Sequence, residues 1–264
     1  MERVALVGFG IAGASLAATA PEGIELVVYD VAGPRCSSRV ATGLVNPIVL
    51  KRRRVVWRAV EALKVALRTY PSELHSSGPI YEVLQTVQEL NDWQALSDHP
   101  ALGEFLGEVT PVPQGIHGVG LGEVRGSFRL NVIGFIEHTR AQVEVWNEQV
   151  NEIEANAGGS WTINGQERFD RVILAEGYQA RWAEHFWGPL GFARTWGQGL
   201  HVHLTAEPGV MLHRSHFLIP EPNGSYQLGA SFGWGIDHGD QDPPRALADQ
   251  TEELLNSARD WVDG

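Results

Sequence analysis

The stretch VALVGFGIAGASLAA, residues 4 to 18, decides the fold of this chain. Its first four residues, Val4–Val7, predict a buried strand, and Ile11–Ala20 predicts a short helix rich in small residues. Three glycines at the junction form the pattern G-x-G-x-x-G, namely Gly8, Gly10 and Gly13. After a strand and at the start of a helix, this pattern predicts a turn that holds the diphosphate of a dinucleotide.

Each glycine in this turn has a physical reason. The first allows the tight turn, the second lets the backbone approach the diphosphate, and the third lets helix and strand pack closely. The start of the helix then presents N–H groups and a partial positive charge to the phosphates. The residues predicted to contact the cofactor here are Gly8, Phe9, Gly10, Ile11, Ala12 and Gly13.

An acidic residue follows the second predicted strand, Ile24–Tyr29. Asp30 lies 22 positions after Gly8, where a carboxylate accepts hydrogen bonds from the hydroxyls of the adenosine ribose. A carboxylate at this point disfavours a ribose 2′-phosphate, and therefore disfavours NADP. These residues leave both NAD and FAD open.

The composition indicates a globular chain with one large domain or two modest ones, since it has 264 residues of which 43% are hydrophobic. No apolar run approaches the roughly 20 residues that span a bilayer, and Glu2 with the glycine turn interrupts any secretory signal. The net charge of −12 argues against nucleic acid as the main partner, and the single cysteine, Cys36, fits a reducing compartment. We expect a soluble, cytoplasmic protein with no membrane partner.

The remaining chain alternates between two kinds of pattern. Helices are predicted at Val55–Tyr70, Val132–Arg140 and Pro244–Val262, and a strand-and-loop region at Ile80–Gly126. Strands are predicted at Val143–Trp146, Trp161–Ile163 and Phe169–Leu174. After Gly191 the runs LHVHL, HFLIP and YQLGASF indicate an antiparallel sheet. This order predicts an α/β protein of two discontinuous domains.

Histidines raise the question of a metal site. The ten histidines include HVH at His201–His203 and HRSH at His213–His216, and two histidines on one strand can share a face. No cysteine lies nearby, and acidic residues are not found at the spacing typical of zinc sites. We therefore predict no metal.

A second small-residue segment separates FAD from NAD. The segment RCSSRVATGLVNP, from Arg35 to Pro47, resembles the FAD-dependent oxidoreductases of the D-amino-acid oxidase and glycine oxidase superfamily. In that family an S-x-x-A-A-G stretch runs beneath the diphosphate and the flavin, where bulky side chains would block the ring. The resemblance implies FAD as the cofactor and contacts from Ser38, Arg39, Val40, Ala41, Thr42, Gly43 and Leu44.

Four later segments are also similar to that family: Gly78–Trp93, Val124–Ala141, Arg171–Tyr178 and His216–Phe232. The resemblance implies further cofactor contacts at Val31, Val150, Ala175, Glu176 and Gly177. It also implies a Rossmann-like FAD-binding domain, residues 1–50 and 140–192, and a second α+β antiparallel-sheet substrate domain, residues 51–139 and 193–264.

The resemblance implies that the protein oxidises a small-molecule amino acid or secondary amine by hydride transfer to flavin N5. The protein would mainly orient the substrate and adjust the electronics of the ring. A substrate carboxylate calls for an arginine, and Arg52, Arg53 and Arg54 are candidates, with Arg53 preferred. Tyr81 and Tyr226 are candidates to supply a hydroxyl to the substrate.

Two alternatives stay open. Members of that family are expected to continue for several tens of residues past the point that matches Gly264, so a truncated, degenerate nucleotide-binding member without catalytic activity is one of them. The other is the oxidase half of a tRNA wobble-uridine modification enzyme, in which the basic run Lys51–Arg54 would contact phosphates.

Overall fold

The computed structural model describes residues 1–31, 33, 36–76, 78–193, 195–234 and 248–263. The helices among them are α1 (Ile11–Ala18), α2 (Ser37–Val40), α3 (Ala59–Thr69), α4 (Val87–Ser97), α5 (Val132–Arg140), α6 (Arg181–Trp187) and α7 (Ala248–Arg259), with short 3-10 turns at Leu50–Arg52 and Ser72–Leu74. The strands among them are β1 (Glu2–Val7), β2 (Ile24–Tyr29), β3 (Leu44–Val45), β4 (Ile48–Val49), β5 (Arg54–Val55), β6 (His75–Ser76), β7 (Ile80–Leu84), β8 (Leu106–Thr110), β9 (Gly120–Val124), β10 (Phe128–Leu130), β11 (Glu144–Trp146), β12 (Ile153–Ala155), β13 (Trp161–Ile163), β14 (Glu167–Phe169), β15 (Arg171–Leu174), β16 (Thr195–Trp196), β17 (Gly199–Val202), β18 (Met211–His213), β19 (Phe217–Pro220), β20 (Tyr226–Gly229) and β21 (Gly233–Trp234).

The chain forms two compact units, and each is built from several segments. The first unit comprises Met1–Ala41, Thr69–Leu74 and Asn131–Arg194, and the second comprises Thr42–Arg68, His75–Leu130 and Thr195–Gly264. Residues 42–50, which were predicted in the FAD-binding domain, therefore fall in the second unit. Residues 131–139, which were predicted in the substrate domain, fall in the first. The assignment of one domain to FAD and the other to substrate stays a prediction, because compactness does not show what a unit binds.

A parallel four-stranded sheet in the order β11-β2-β1-β15 forms the centre of the first unit. Val7 is the register partner of both Tyr29 and Leu174, so these strands end at the same edge of the sheet. Three consecutive residues of β1, Ala5 among them, are at most 2% exposed, as expected for strands covered on both faces. The predicted strand–helix–strand unit of the N-terminus is confirmed.

An antiparallel sheet, β12-β13-β14, completes the first unit. Here the sequence prediction of one strand over Phe169–Leu174 is wrong, because Phe169 ends β14 and Arg171 begins β15. Asp170 separates them: its N–H donates to the carbonyl of Arg3, and its Oδ2 accepts from the N–H of Arg3 at 2.8 Å. These two contacts fix the chain where it passes from one sheet to the other.

A seven-stranded sheet in the order β17-β20-β19-β18-β7-β9-β8 forms the centre of the second unit. The predicted antiparallel pairing holds for the strands after Gly191, and β18 adds to β7 in parallel. Three shorter sheets accompany it: β3-β10-β6, β4-β5 and β16-β21. The predicted fold class is confirmed.

The seven-stranded sheet has an apolar core on each face. Along β7, Ile80 and Leu84 pack with Trp93 of α4, whereas Val83 packs with Leu254 of α7. Alternation along a strand places Glu82 on the same face as Ile80 and Leu84. The two faces therefore differ in character, since one of them carries a buried carboxylate.

The region Ile80–Gly126, predicted as strands and loops, also contains the helix α4, and this part of the prediction is wrong. The signal for the helix start was present in the sequence. The side chain of Thr86 accepts from the N–H of Glu89 at 3.2 Å, which is the hydrogen bond that the pattern T-x-x-E favours at a helix start. Glycine and proline on either side obscured this pattern.

The predicted helices correspond to α3, α5 and α7. The bounds of α5 are those predicted, whereas α3 and α7 differ from the prediction at their ends. Of the closing prediction, Pro244–Val262, residues 244–247 lie outside the described residues. Within the described part of the chain, no helix combines the length and apolar character needed to cross a membrane.

Candidate functional site

The glycine turn between β1 and α1 is packed so tightly that its outer glycines accept no side chain. Gly8 has a φ of +95°, and a Cβ there would lie 2.5 Å from the carbonyl oxygen of Ala175. A Cβ on Gly13 would lie 2.3 Å from the carbonyl oxygen of Gly8. Gly8 thus makes the turn and Gly13 lets α1 approach it, which are the two roles that the spacing predicts.

Because Gly10 has no side chain, the side chain of Ser38 can reach the start of α1. The Oγ of Ser38 accepts a hydrogen bond from the N–H of Ile11 at 2.9 Å, and a Cβ on Gly10 would lie 2.9 Å from that same Oγ. The first N–H groups of a helix have no partner within the helix, so a side-chain oxygen satisfies one of them here. Ser38 therefore lies at the point where α1 would meet an anion.

Asp30 follows β2 at the carboxyl edge of the parallel sheet and contacts the turn directly. Its Oδ1 accepts from the N–H of Phe9 at 3.1 Å, and its Oδ2 lies 2.8 Å from Nη1 of Arg140. We call the turn Gly8–Gly13, together with Asp30, Ser38 and Ala175, the helix-tip site. The structure thus brings together residues that the sequence places in four separate segments.

The chain passes the helix-tip site again at the end of β15. The N–H of Ala175 donates to the carbonyl of Val7 at 2.7 Å, which extends the parallel pairing into the site. Glu176 has a different task, because its carboxylate accepts from the N–H groups of Trp182 and Ala183 at the start of α6. Gly177 has a φ of +64°, a conformation that favours glycine.

The other predicted cofactor contacts of the first unit have diverse surroundings. Val31 and Val40 are exposed, and Ala41 is exposed as well. Arg39 pairs with Glu137 at 3.1 Å, and Ala12 is an exposed residue of α1. Val150 is buried in the core, where its carbonyl accepts from the indole N–H of Trp182 at 3.4 Å. Their role as cofactor contacts stays a prediction.

Thr42, Gly43 and Leu44 belong to the second unit. The carbonyl of Gly43 accepts from the N–H of Leu130 at 2.8 Å, and the carbonyl of Thr42 accepts from Nε of Arg129 at 3.0 Å. β10 therefore holds the backbone of these three residues from one side. Their contact with the cofactor stays a prediction.

A group of charged side chains lies on the Ile80 face of the seven-stranded sheet. Glu82 is only 5% exposed, and its Oε2 lies 2.5 Å from Nδ1 of His213, its register partner on β18. Its Oε1 lies 3.6 Å from Nη2 of Arg53. The guanidinium of Arg53 lies over the ring of Trp93, 5.0 Å from the centroid. We call Arg53, Glu82, Trp93 and His213 the Glu82 cluster.

Arg53 is unusual in two further respects. It has a φ of +47°, a conformation uncommon for a residue with a side chain. Its Nη1 is buried, and among the described residues no acceptor lies within hydrogen-bonding distance of it. Its neighbours Arg52 and Arg54 are exposed, so burial distinguishes Arg53 among the three candidates.

Tyr81 and Tyr226 do not join Arg53. Tyr226 is 4% exposed in the core beneath α7, where its hydroxyl oxygen accepts from the N–H of Gly209 at 3.2 Å, and Tyr81 packs against the same core. Both lie on the sheet face opposite Glu82. The structure thus separates the tyrosine candidates from the arginine candidate.

Two of the histidines that suggested a metal site contact glutamates instead. His213 pairs with Glu82, and Nδ1 of His201 lies 2.6 Å from Oε2 of Glu221. Burial raises the pKa of Glu221, but contacts with Ser225 and His201, together with the charge of Arg129, outweigh burial and hold this pKa below its usual value. The described residues contain no group of three or more side chains arranged to hold a metal ion.

The parallel sheet, the glycine turn and the acid after β2 are the features of a dinucleotide-binding unit. A family model described as DAO, FAD dependent oxidoreductase, matches residues 3–264. The chain belongs to this family of FAD-dependent oxidoreductases. The predicted recognition is thereby confirmed, and so is the prediction of FAD, the cofactor by which the family is defined.

Solved structures share the fold of this oxidoreductase. Glycine oxidase from Geobacillus kaustophilus matches with a TM-score of 0.70 and 17% identity, over 99% of this chain and 79% of that chain. Iminodiacetate oxidase from Chelativorans sp. BNC1 matches with a TM-score of 0.71 and 18% identity, over 98% and 79%. A glycerol-3-phosphate dehydrogenase from Bacillus halodurans, solved with FAD, matches with a TM-score of 0.60 and 14% identity, over 99% and 53%. At these identities the likeness shows the fold.

The residues of the helix-tip site fit the FAD that defines the family. Gly10 adds no side chain to the start of α1, where a Cβ would lie 2.9 Å from the Oγ of Ser38. Backbone N–H groups at a helix start suit a diphosphate, and a carboxylate after β2 suits ribose hydroxyls. The site therefore offers donors for the diphosphate and an acceptor for the ribose hydroxyls of the ADP part of FAD.

Sequence reasoning did not find Arg140 beside Asp30 or Glu82 in the charged cluster, and it considered His213 only as a metal ligand. Arg140 lies 110 positions from Asp30, and His213 lies 131 positions from Glu82, so spacing carries no signal for either pair. Glu82 was detectable in principle, because a glutamate inside the apolar run IYEVL is a buried charge that needs a partner.

Proposed function

We propose that this FAD-dependent oxidoreductase oxidises a small amino acid or secondary amine that carries a carboxylate. When bound, FAD supplies the acceptor for the hydride that leaves the C–H bond next to the substrate nitrogen. The residues of the protein would bind and orient the substrate. The carboxylate recognition is assigned to Arg53.

The observation that carries this proposal is the buried Nη1 of Arg53. An N–H that is buried without an acceptor is costly, on the order of 1–3 kcal/mol, so a ligand that accepts from it is favoured. A carboxylate is the acceptor that a guanidinium binds best, because charge strengthens the hydrogen bond. The structures of similar fold include enzymes named for glycine and iminodiacetate, which are both amines that carry a carboxylate.

The rest of the Glu82 cluster holds Arg53 while leaving Nη1 available. Glu82 attracts Nη2 from 3.6 Å, a distance too long for a strong hydrogen bond, and Trp93 supports the guanidinium from below. His213 takes the other oxygen of Glu82, so the buried charge of Glu82 has two partners. The guanidinium is thus placed without having all its N–H groups occupied.

Peroxide release, with dioxygen supplied as the final electron acceptor, tests this proposal with matched pairs of substrates. Glycine, sarcosine, proline and D-amino acids would be compared with methylamine, dimethylamine and pyrrolidine, which lack the carboxylate. The wild type is expected to oxidise at least one of the carboxylated compounds and to discriminate strongly against its carboxylate-free partner. Arg53→Met is expected to raise KM for the carboxylated substrate at least tenfold, with Arg53→Lys between the two.

Arg68→Met is the matched control, because Arg68 is an exposed arginine of α3 in the same unit. It is expected to keep the KM of the wild type. Oxidation of none of the amines by protein that has taken up FAD would overturn the proposed substrate class. An unchanged KM in Arg53→Met would overturn the assignment of the carboxylate to Arg53.

A further inference from the structure

We propose that Arg140 is a positioning residue for the adenosine half of FAD, which it serves by holding the carboxylate of Asp30 in place. This inference rests on the proposed function only in that FAD occupies the helix-tip site. It concerns a residue of α5 that is not among the predicted cofactor contacts.

The contact between the two side chains is direct and sheltered. Nη1 of Arg140 lies 2.8 Å from Oδ2 of Asp30, and the side chains are 21% and 19% exposed. The other oxygen, Oδ1, accepts from the N–H of Phe9 within the glycine turn at 3.1 Å. With both oxygens held from different elements, rotation of the carboxylate is restricted before any ligand arrives.

Arg140 can hold this position because α5 is firmly attached to its unit. Phe135, Ile136 and Thr139 are buried, and the ring of Phe135 packs edge to face with Tyr70 at 4.8 Å. The side chain of Asn131 accepts from the N–H of Gly134 and thereby closes the start of the helix. The backbone of Arg140, the last residue of α5, is therefore fixed in position, which limits where its guanidinium can lie.

The backbone after α5 reaches Asp30 as well. In β11, which follows this helix, the carbonyl of Trp146 accepts from the N–H of Asp30 at 3.1 Å. The segment Val132–Trp146 therefore fixes Asp30 twice, through the side chain of Arg140 and through the backbone of β11. Ordering the carboxylate in advance reduces the entropy cost of binding the ribose.

Charge gives a second reason for an arginine here. The diphosphate of FAD carries negative charge, and a lone carboxylate at the same edge of the sheet would repel it. The guanidinium of Arg140 offsets the charge of Asp30 while the carboxylate oxygens keep their role as acceptors. Asp30 can therefore accept hydrogen bonds from the ribose hydroxyls without strongly repelling the neighbouring diphosphate.

The test is a double-mutant cycle on FAD binding. Protein freed of flavin would be titrated with FAD, with ADP and with FMN, which lacks the adenosine, using Arg140→Gln, Arg140→Lys, Asp30→Asn and the double variant Arg140→Gln with Asp30→Asn. Arg171→Gln is the matched control, because Arg171 pairs with Glu2 at the opposite edge of the same sheet. Thermal unfolding without ligand reports any general loss of stability.

We expect Arg140→Gln to weaken the binding of FAD and of ADP about tenfold, and Arg140→Lys to recover part of this loss. Any binding of FMN is expected to stay unchanged. In the Asp30→Asn background, Arg140→Gln is expected to have little further effect, because a positioning residue acts through its partner. Arg171→Gln is expected to match the wild type for all three ligands.

Three results would overturn the inference. The first is an FAD affinity that is unchanged in Arg140→Gln. The second is that Arg140→Gln lowers FAD affinity as much in the Asp30→Asn background as in the wild type. The third is that Arg140→Gln weakens FMN binding as much as FAD binding and also lowers the unfolding temperature. A wild type that binds neither FAD nor ADP would overturn the proposed function and this inference together. Firm binding by the wild type with an unaffected Arg140→Gln would overturn this inference alone.

Discussion

The Oγ of Ser38 accepts a hydrogen bond from the N–H of Ile11 at 2.9 Å, at the tip of the helix that follows the glycine turn. The two residues lie 27 positions apart, on α1 and α2 of the same unit. A hydroxyl both accepts and donates, so Ser38 can satisfy this N–H in the free protein and donate to a phosphate in the complex.

Ser38→Ala is expected to destabilise the FAD-free protein by about 1 kcal/mol, since removing an oxygen that caps a helix start typically costs this much. The variant is also expected to bind FAD several-fold more weakly, because a donor to the diphosphate is lost. Thermal unfolding with and without FAD measures both effects. Ser37→Ala, which replaces the exposed neighbour, serves as control, and equal effects in the two variants would contradict the assignment.

Substitutions at two glycines of the turn, Gly10 and Gly13, are expected to have different effects. Gly10→Val should fold but retain no flavin, because its Cβ would meet side chains rather than backbone: the Oγ of Ser38 at 2.9 Å and the Sγ of Cys36 at 3.6 Å. Gly13→Ala should unfold more easily even without FAD, because its Cβ would lie 2.3 Å from backbone. Flavin absorbance after desalting, together with urea unfolding, distinguishes the two variants.

Gly33→Ala is the control for these glycine variants, since a Cβ there meets nothing within 4 Å. Full flavin content in Gly10→Val, or wild-type stability in Gly13→Ala, would show that the turn is placed wrongly.

Gly122→Ala is expected to destabilise the protein by about 1–3 kcal/mol, as is usual when a methyl group is forced into a packed core. A Cβ on Gly122 would lie 2.4 Å from a ring carbon of Trp93, and this ring supports Arg53. The variant should therefore also raise KM for a carboxylated substrate. Gly199→Ala on the same sheet, where a Cβ makes an ordinary contact at 3.5 Å, should change neither urea unfolding nor KM.

The stability of the protein is expected to fall as the pH drops below about 6.5, in part because of His216. Burial lowers the pKa of this imidazole below its ordinary value of 6.5; the charge of Glu253 opposes this in part, and His213 adds a smaller lowering. Between the two values the unfolded chain takes up a proton that the folded protein does not, so protons favour unfolding.

His216→Gln is therefore expected to lose less unfolding free energy than the wild type between pH 7.5 and 5.5, as measured by urea unfolding. His203→Gln, at an exposed position of the same unit, is expected to follow the wild type. An equally steep loss in His216→Gln would exclude His216 as a source of the acid sensitivity.

Local patterns in the sequence predicted the elements whose causes are local. Val4–Val7 and Ile24–Tyr29 are continuous apolar runs, and both are strands of the parallel sheet. The helix α4 was not predicted although Thr86 and Glu89 mark its start, because the glycines and prolines on either side favour loops. Asp170 between β14 and β15 was missed since nothing local distinguishes its two backbone contacts to Arg3.

The sequence by itself determined that a glycine turn follows a buried strand and that FAD is the cofactor, because these depend on residues within one short segment or on family pattern. Only the tertiary structure decided that Arg140 reaches Asp30 and that His213 and Arg53 share the buried charge of Glu82. The physical reason is that a charge withdrawn from water needs a partner in space, and the chain can supply that partner from any segment that the fold brings near.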